Sequence, residues 1–288
     1  MNNQRDETAT PPSTRAHLAI PSRVSAFLAG PWPVAILLLL ALLPYLGILR
    51  NDFTYVYDDK LLILDNPYVH SLHHLREVLT SILFSNMGVQ SRLPYYRPMA
   101  DLSYWLGYKV FGPHPFGFHL VSLAANTIIV MLVYAVAGRI LPDRMAAFCA
   151  AALYAIHPVH VEVLAWATAL IDIDVALFYL LTFWCFLKLE EGEGGPGIAA
   201  FAGMIAGFVL ALFSKEQAVT LPLLATIYEY GYRSDRRGTS HLQKMLRYGP
   251  LWLLAAGYLL IRVKVLGGFA HNAGANSLAF FTFSPFRP

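Results

Sequence analysis

"FGFHLVSLAANTIIVMLVYAVAG" (residues 116–138) contains no Asp, Glu, Lys or Arg from end to end. An α-helix needs about 20 residues to cross the ~30 Å hydrocarbon core of a bilayer, so this run reads as a membrane-spanning helix. Six further apolar runs accompany it, at 32–49, 145–156, 175–189, 197–213, 218–232 and 251–266. The shorter ones reach spanning length only with their semi-polar flanks. The fold class that follows is an all-α polytopic membrane protein with about seven transmembrane helices.

The whole composition agrees. Of 288 residues, 57% are hydrophobic and only 14% charged, a surplus of apolar surface that must face lipid. The net charge of +3 is spread over the ends of the apolar runs and not gathered on one soluble face, which argues against a nucleic-acid partner. Cys149 and Cys185 both fall inside apolar runs, where a cysteine behaves as a small buried hydrophobe. Residues 1–30 form a polar, proline-bearing tail. The run after it leads into "RNDF" without a small-residue cleavage site, so it reads as an uncleaved signal anchor at the head of a membrane domain spanning 31–288.

Basic residues orient the chain. Arg5, Arg15 and Arg23 precede the first run, Arg139 and Arg144 separate the second from the third, and "RSDRRGTSHLQKMLR" (233–247) separates the sixth from the seventh. The positive-inside tendency makes all three cytoplasmic. Residues 51–113, "HPVHVE" (157–162), "SKEQ" (214–217) and the tail after Leu266 then lie outside, with the acidic "LEEGEGGPG" (189–197) as a solvated inner loop. The expected setting is a bacterial plasma (inner) membrane, with the N-terminus in the cytoplasm. The 51–113 loop carries Tyr, Trp, Leu and Phe throughout. "SLHHLREVLTSILF" (71–84) and "MADLSYWLGYKVF" (99–111) show apolar residues at helical spacing, so the loop is expected to fold as two short helices along the membrane surface. "GMIAG" (203–207) places two glycines four apart, a spacing that permits close helix packing.

Charges beside membrane spans are costly and are functional candidates by default. On the outer face they form a cup of acids, imidazoles and cations: Asp58, Asp59, Arg97, His157, His160, Glu162, Asp172, Asp174, Lys215, Glu216, Arg262 and Lys264. A carboxylate near a hydroxyl can act as general base, and partial burial raises its pKa into a useful range. Adjacent side chains diverge, so one of Asp58 and Asp59 is expected to act, while the other orients, binds metal or caps the next helix. Pro158 breaks the chain between His157 and His160. With Glu162 these residues could hold a divalent cation, contact a phosphate or simply cap an interfacial turn. Asp172 and Asp174, two apart on a helix, face different sides, so one at most enters the cup. Arg262 could grip a phosphate bidentately or snorkel to the interface, and Arg97, in "YYRPMADL", could contact phosphate or anchor the loop.

As a set, "FTYVYDDKLLILDNPYV", "YYRPMADLSYWLGY", "HPFGFHLVSLAANTII", "AIHPVHVEVLAWA" and "SKEQAVTLP" resemble, in order and spacing, the membrane half of the transmembrane and tetratricopeptide-repeat protein family. The resemblance covers roughly residues 50–275. It implies a GT-C glycosyltransferase bundle that takes a sugar, mannose in characterised members, from a polyprenyl- or dolichyl-phosphate carrier in the lipid. Asp58 or Asp59 would deprotonate a protein Ser or Thr hydroxyl for inverting attack. Arg97, Arg262, Lys264 or a cation near His157, His160 and Glu162 would receive the lipid phosphate. Two departures stand out. "ALIDID" (169–174) lacks the basic residue that relatives carry there, and the chain stops after the seventh run without helical repeats, as a truncated product or a half needing a repeat-bearing partner would. The competing expectation is a non-catalytic bundle, but a transporter would place its charges near the midplane, ideally within an inverted repeat.

Overall fold

The computed structural model describes residues 22–54, 58–83, 85, 95–189, 197–232 and 240–266, and the regular structure among them is helical. Residues 1–21, 190–196, 233–239 and the tail after Leu266, which carry much of the orienting charge, lie outside the described residues. The helices are α1 (Ser22–Ala29), α2 (Trp32–Leu42), α3 (Pro67–His70), α4 (Leu75–Thr80), α5 (Pro98–Phe111), α6 (Pro115–Ile140), α7 (Arg144–Ala155), α8 (His160–Ala165), α9 (Leu170–Lys188), α10 (Gly197–Ser214), α11 (Leu221–Ile227) and α12 (His241–Leu266). The end of the polar tail is therefore helical. Leu28 of α1 is buried, and Phe27 meets Phe148 edge-on with ring centroids 5.8 Å apart.

Among the described residues, five segments are long and apolar enough to cross a membrane: Trp32–Arg50, Pro115–Ile140, Ala167–Lys188, Gly197–Ser214 and Lys244–Leu266. The other two predicted runs form shorter or irregular helices, and their sequences say why. Asp143 caps the start of α7, its side chain accepting from the Met145 amide at 2.9 Å. The helix stops at Ala155, just before the Pro158 turn, and its 12 residues reach only about 18 Å. The 218–232 run changes its winding from a 3-10 turn (Glu216–Thr220) through α11 to a π turn (Tyr228–Tyr232).

The bundle is built outward from α9, which packs most extensively on α10 and also on α6; α6 in turn packs on α7 and α2, and α12 packs on α11 and α10. No Cβ separates α10 from α9 at Gly207, where one would come within 2.7 Å of Thr182 Oγ1. That hydroxyl is already committed to the Phe178 carbonyl, at 2.7 Å, and cannot swing aside without losing its bond. Gly207→Ala is therefore expected to destabilise by about 1–3 kcal/mol, read as a lower thermal-unfolding midpoint in detergent. An unchanged midpoint would show that the two helices have room to part.

The described parts of the 51–113 loop pack on the bundle through α5. Of the loop's two predicted helices, the second is α5, which rests on α3, α6, α9 and α10. The first shrinks to the 3-10 turn Leu72–His74 followed by α4. Pro98 and Pro115 begin α5 and α6, where a missing N–H costs nothing. Gly112, at φ +65°, makes the reversal between them, a backbone region that glycine enters without a side-chain clash.

Candidate active site

Asp58 and Asp59 stand on one helical turn and have different surroundings. The Asp59 side chain is fully buried. Its Oδ2 accepts from the Thr54 amide at 2.9 Å, and its Oδ1 accepts from the Thr168 amide at 2.9 Å and the Thr168 hydroxyl at 2.7 Å. This carboxylate ties the start of the outer loop to the turn that opens α9. Asp58 is half-buried and lines a cavity of about 310 Å³ together with Tyr95, Arg97, Tyr104, Trp166, Thr168 and Asp172, among others. Burial, reinforced by the neighbouring Asp59 charge, pushes the Asp58 carboxyl above its ordinary pKa. A group in that state accepts a proton more readily than a solvated aspartate.

Arg97 lines the same cavity as Asp58. Arg97 grips Glu216 with two bonds, Nε to Oε2 at 3.1 Å and Nη2 to Oε1 at 2.8 Å, and its guanidinium lies over the Tyr95 ring, 4.1 Å from the centroid. Burial would push the Glu216 carboxyl up, but the Arg97 hydrogen bond and the Arg97 and Arg262 charges outweigh it and hold the pKa below the usual value. Arg262 thus shares the electrostatic environment of this pair, and its buried Nε has no hydrogen-bond partner. Lys215 hydrogen-bonds Asp172. Lys264, by contrast, is exposed.

The two acids of "ALIDID" separate as helical spacing requires. Asp172 lines the cavity, whereas Asp174 is buried against α5 and accepts from the Ser103 hydroxyl at 2.6 Å. Of the candidates on "HPVHVE", His157 and His160 come together, their rings edge to face with centroids 6.0 Å apart. His157 is exposed and accepts from the Val159 amide at 3.2 Å, His160 packs on Tyr154 with centroids 4.3 Å apart, and Glu162 points to solvent. None of the three lines the Asp58 cavity. Among the described residues, no three His, Cys, Asp or Glu side chains come together as a metal site.

The site also contains residues that the charge pattern alone did not single out. The buried Tyr104 hydroxyl donates to the Thr168 carbonyl at 2.6 Å. Burial first, then the charges of Asp101, Asp174, Asp59 and Asp172, hold its pKa well above the ordinary tyrosine range. His119 is fully buried on α6, its Nδ1 lying 3.3 Å from the Leu164 carbonyl. Asp101 accepts from Asn66 Nδ2 at 2.7 Å. The i, i+3 spacing of Asp101 and Tyr104 on α5 was the available signal, since it puts both on one face.

Burial pushes Asp101 up to about 6, against the opposing effect of the Asn66 hydrogen bond. An unfolded aspartate titrates near ~3.9, so the folded chain holds this proton more tightly. The stabilisation is complete below about pH 4 and is lost as pH rises through about 6. Asp101→Asn keeps an acceptor for Asn66 but cannot ionise. The stability of the wild type relative to this variant is expected to fall by roughly 2–3 kcal/mol between pH 4 and 7.5. Paired unfolding curves at the two pH values check it, and a gap that does not change with pH would refute it.

Residues 94–265 match the family model described as dolichyl-phosphate-mannose-protein mannosyltransferase. Among curated proteins, the chain is similar to protein O-mannosyl-transferase Tmtc1 of Drosophila melanogaster (34% identity, covering 64% of this chain and 21% of that protein). It is also similar to protein O-mannosyl-transferase F38B6.6 of Caenorhabditis elegans (28%, covering 80% and 31%) and protein O-mannosyl-transferase TMTC2 of Homo sapiens (27%, covering 66% and 23%). The chain thus spans between 21% and 31% of the length of these relatives. No solved structure matches it.

Proposed function

The chain belongs to the dolichyl-phosphate-mannose-protein mannosyltransferase family, and on that premise we propose that the Asp58 cavity is where mannose passes from a polyprenyl- or dolichyl-phosphate carrier to a protein hydroxyl. The observation that carries the reading is the half-buried Asp58, with its raised pKa, facing the same cavity as Arg97. A Ser or Thr hydroxyl hydrogen-bonded to Asp58 gives up its proton to the carboxylate as its oxygen attacks the anomeric carbon. The bond from that carbon to the phosphate oxygen breaks, and configuration inverts. The lipid phosphate leaves with its negative charge. Arg97 presents five N–H donors, of which Glu216 takes two, so the same guanidinium can hold the departing phosphate, with Arg262 beside it. Lys264, exposed near the end of α12, has the place of a snorkelling residue more than of a phosphate ligand.

Orientation follows the same logic. The cavity lies at the end of the bundle where α6 begins, next to α5, whereas Arg139 is in the last turn of α6 and Arg144 in the first turn of α7. The positive-inside tendency supports an outer-face cavity. Radiolabelled mannose supplied as polyprenyl-phosphate mannose to membranes containing the chain, with Ser- and Thr-bearing acceptor peptides, tests the reading. Label on the acceptor in the inverted configuration is expected. Absence of transfer by the folded, inserted chain, both alone and within a longer repeat-bearing polypeptide, would overturn it.

A further inference from the structure

We propose that a second groove on the outer loop, distinct from the Asp58 cavity, binds a phosphate-bearing headgroup at the membrane surface. The groove encloses about 470 Å³ and is lined by His70, Ser71, His73, Trp105 and Lys109. Trp105 and Lys109 sit one turn apart on α5, roughly 100–140° around the helix from Tyr104, which lines the Asp58 cavity. The two sites therefore occupy different faces of one helix.

The chemistry of the lining is that of an anion site. A lysine ammonium, two imidazoles and a serine hydroxyl supply hydrogen-bond donors, and among the described residues no carboxylate lines the groove. The His70 imidazole is held in place. The His70 ring packs on Tyr108 with centroids 4.5 Å apart, and the Ser71 hydroxyl accepts from the His73 amide at 3.2 Å, fixing the turn that carries both histidines. Beside the groove, α5 exposes Leu106 and Val110, at 57% and 62%. Apolar side chains at this level suit acyl chains, a tryptophan suits the headgroup zone, and a lysine stem can lie along the apolar strip while its charge meets a phosphate. A lipid headgroup and a free phosphate share this chemistry, and the proposal does not depend on transfer taking place at Asp58.

The test uses the purified full chain in detergent, with Trp105 fluorescence as reporter, obtained by subtracting the signal of Trp105→Phe. Brominated phosphatidylglycerol is expected to quench it with half-saturation about fivefold lower than brominated phosphatidylcholine. Lys109→Glu is expected to abolish that preference and Lys109→Arg to retain it, each variant being checked for wild-type helicity. Excess inorganic phosphate separates the sources: competition shows that the anion alone is recognised, and its absence shows that the site needs the lipid. Equal quenching by the two lipids in the wild type, or a preference that survives Lys109→Glu, would overturn the assignment.

Discussion

Asp58→Asn is expected to reduce kcat for mannose transfer by about 10²–10⁴-fold, the usual contribution of a positioned general base, while leaving the unfolding midpoint close to that of the wild type. The side chain is half-buried on a cavity wall, and the amide is isosteric with the carboxylate, so the substitution removes proton acceptance and little else. The pH profile adds a sharper readout. The active form is the carboxylate, so wild-type activity is lost on the acid side, with a midpoint above the ~3.9 of a free aspartate, because burial and Asp59 both raise the pKa. The residual rate of the variant should lack that acid limb. Wild-type kcat in Asp58→Asn, measured with saturating donor and acceptor, would remove Asp58 from the mechanism.

Much of the fold was legible because bilayers impose a simple rule. Uninterrupted apolar length marks α6, α10 and the first span directly, and the glycine pair of "GMIAG" reads correctly as a packing device, with Gly207 against Thr182 and Gly203 against Cys185. At 145–156 and 218–232 the same apolar composition gives shorter or irregular helices, because an Asp143 cap, the Pro158 turn and changes of helical winding limit length. The site was legible at the level of which charges lie at one end, and less so as to which of them meet. Asp58 and Asp59 look equivalent in sequence. Their separation depends on Thr168, 109 positions from Asp59, and local spacing carries no information about a partner that distant. The histidines of "HPVHVE" meet each other but do not line the Asp58 cavity, a placement that local spacing does not display. Asp101, Tyr104 and His119 were missed because their significance is burial against other helices, which no charge pattern displays.

Asp59→Ala is expected to cost roughly 3 kcal/mol or more of stability, since it strips acceptors from three donors at once and a buried donor left without a partner costs about 1–3 kcal/mol. Those donors are the Thr54 amide and both the amide and the hydroxyl of Thr168. Asp59→Asn should fall in between. Its carbonyl oxygen can still take the Thr168 bonds, but its NH₂ then confronts the Thr54 N–H, donor against donor. The expected order of unfolding midpoints in detergent is therefore wild type, then Asn, then Ala, opposite in character to Asp58, where activity moves and stability does not. The contrast gives the two neighbouring acids separable roles, one meeting substrate and the other holding the loop on α9 so that its neighbour is presented. If Asp59→Ala unfolds at the wild-type temperature yet transfers no mannose, those roles are exchanged, and the buried acid is the group that reaches the hydroxyl.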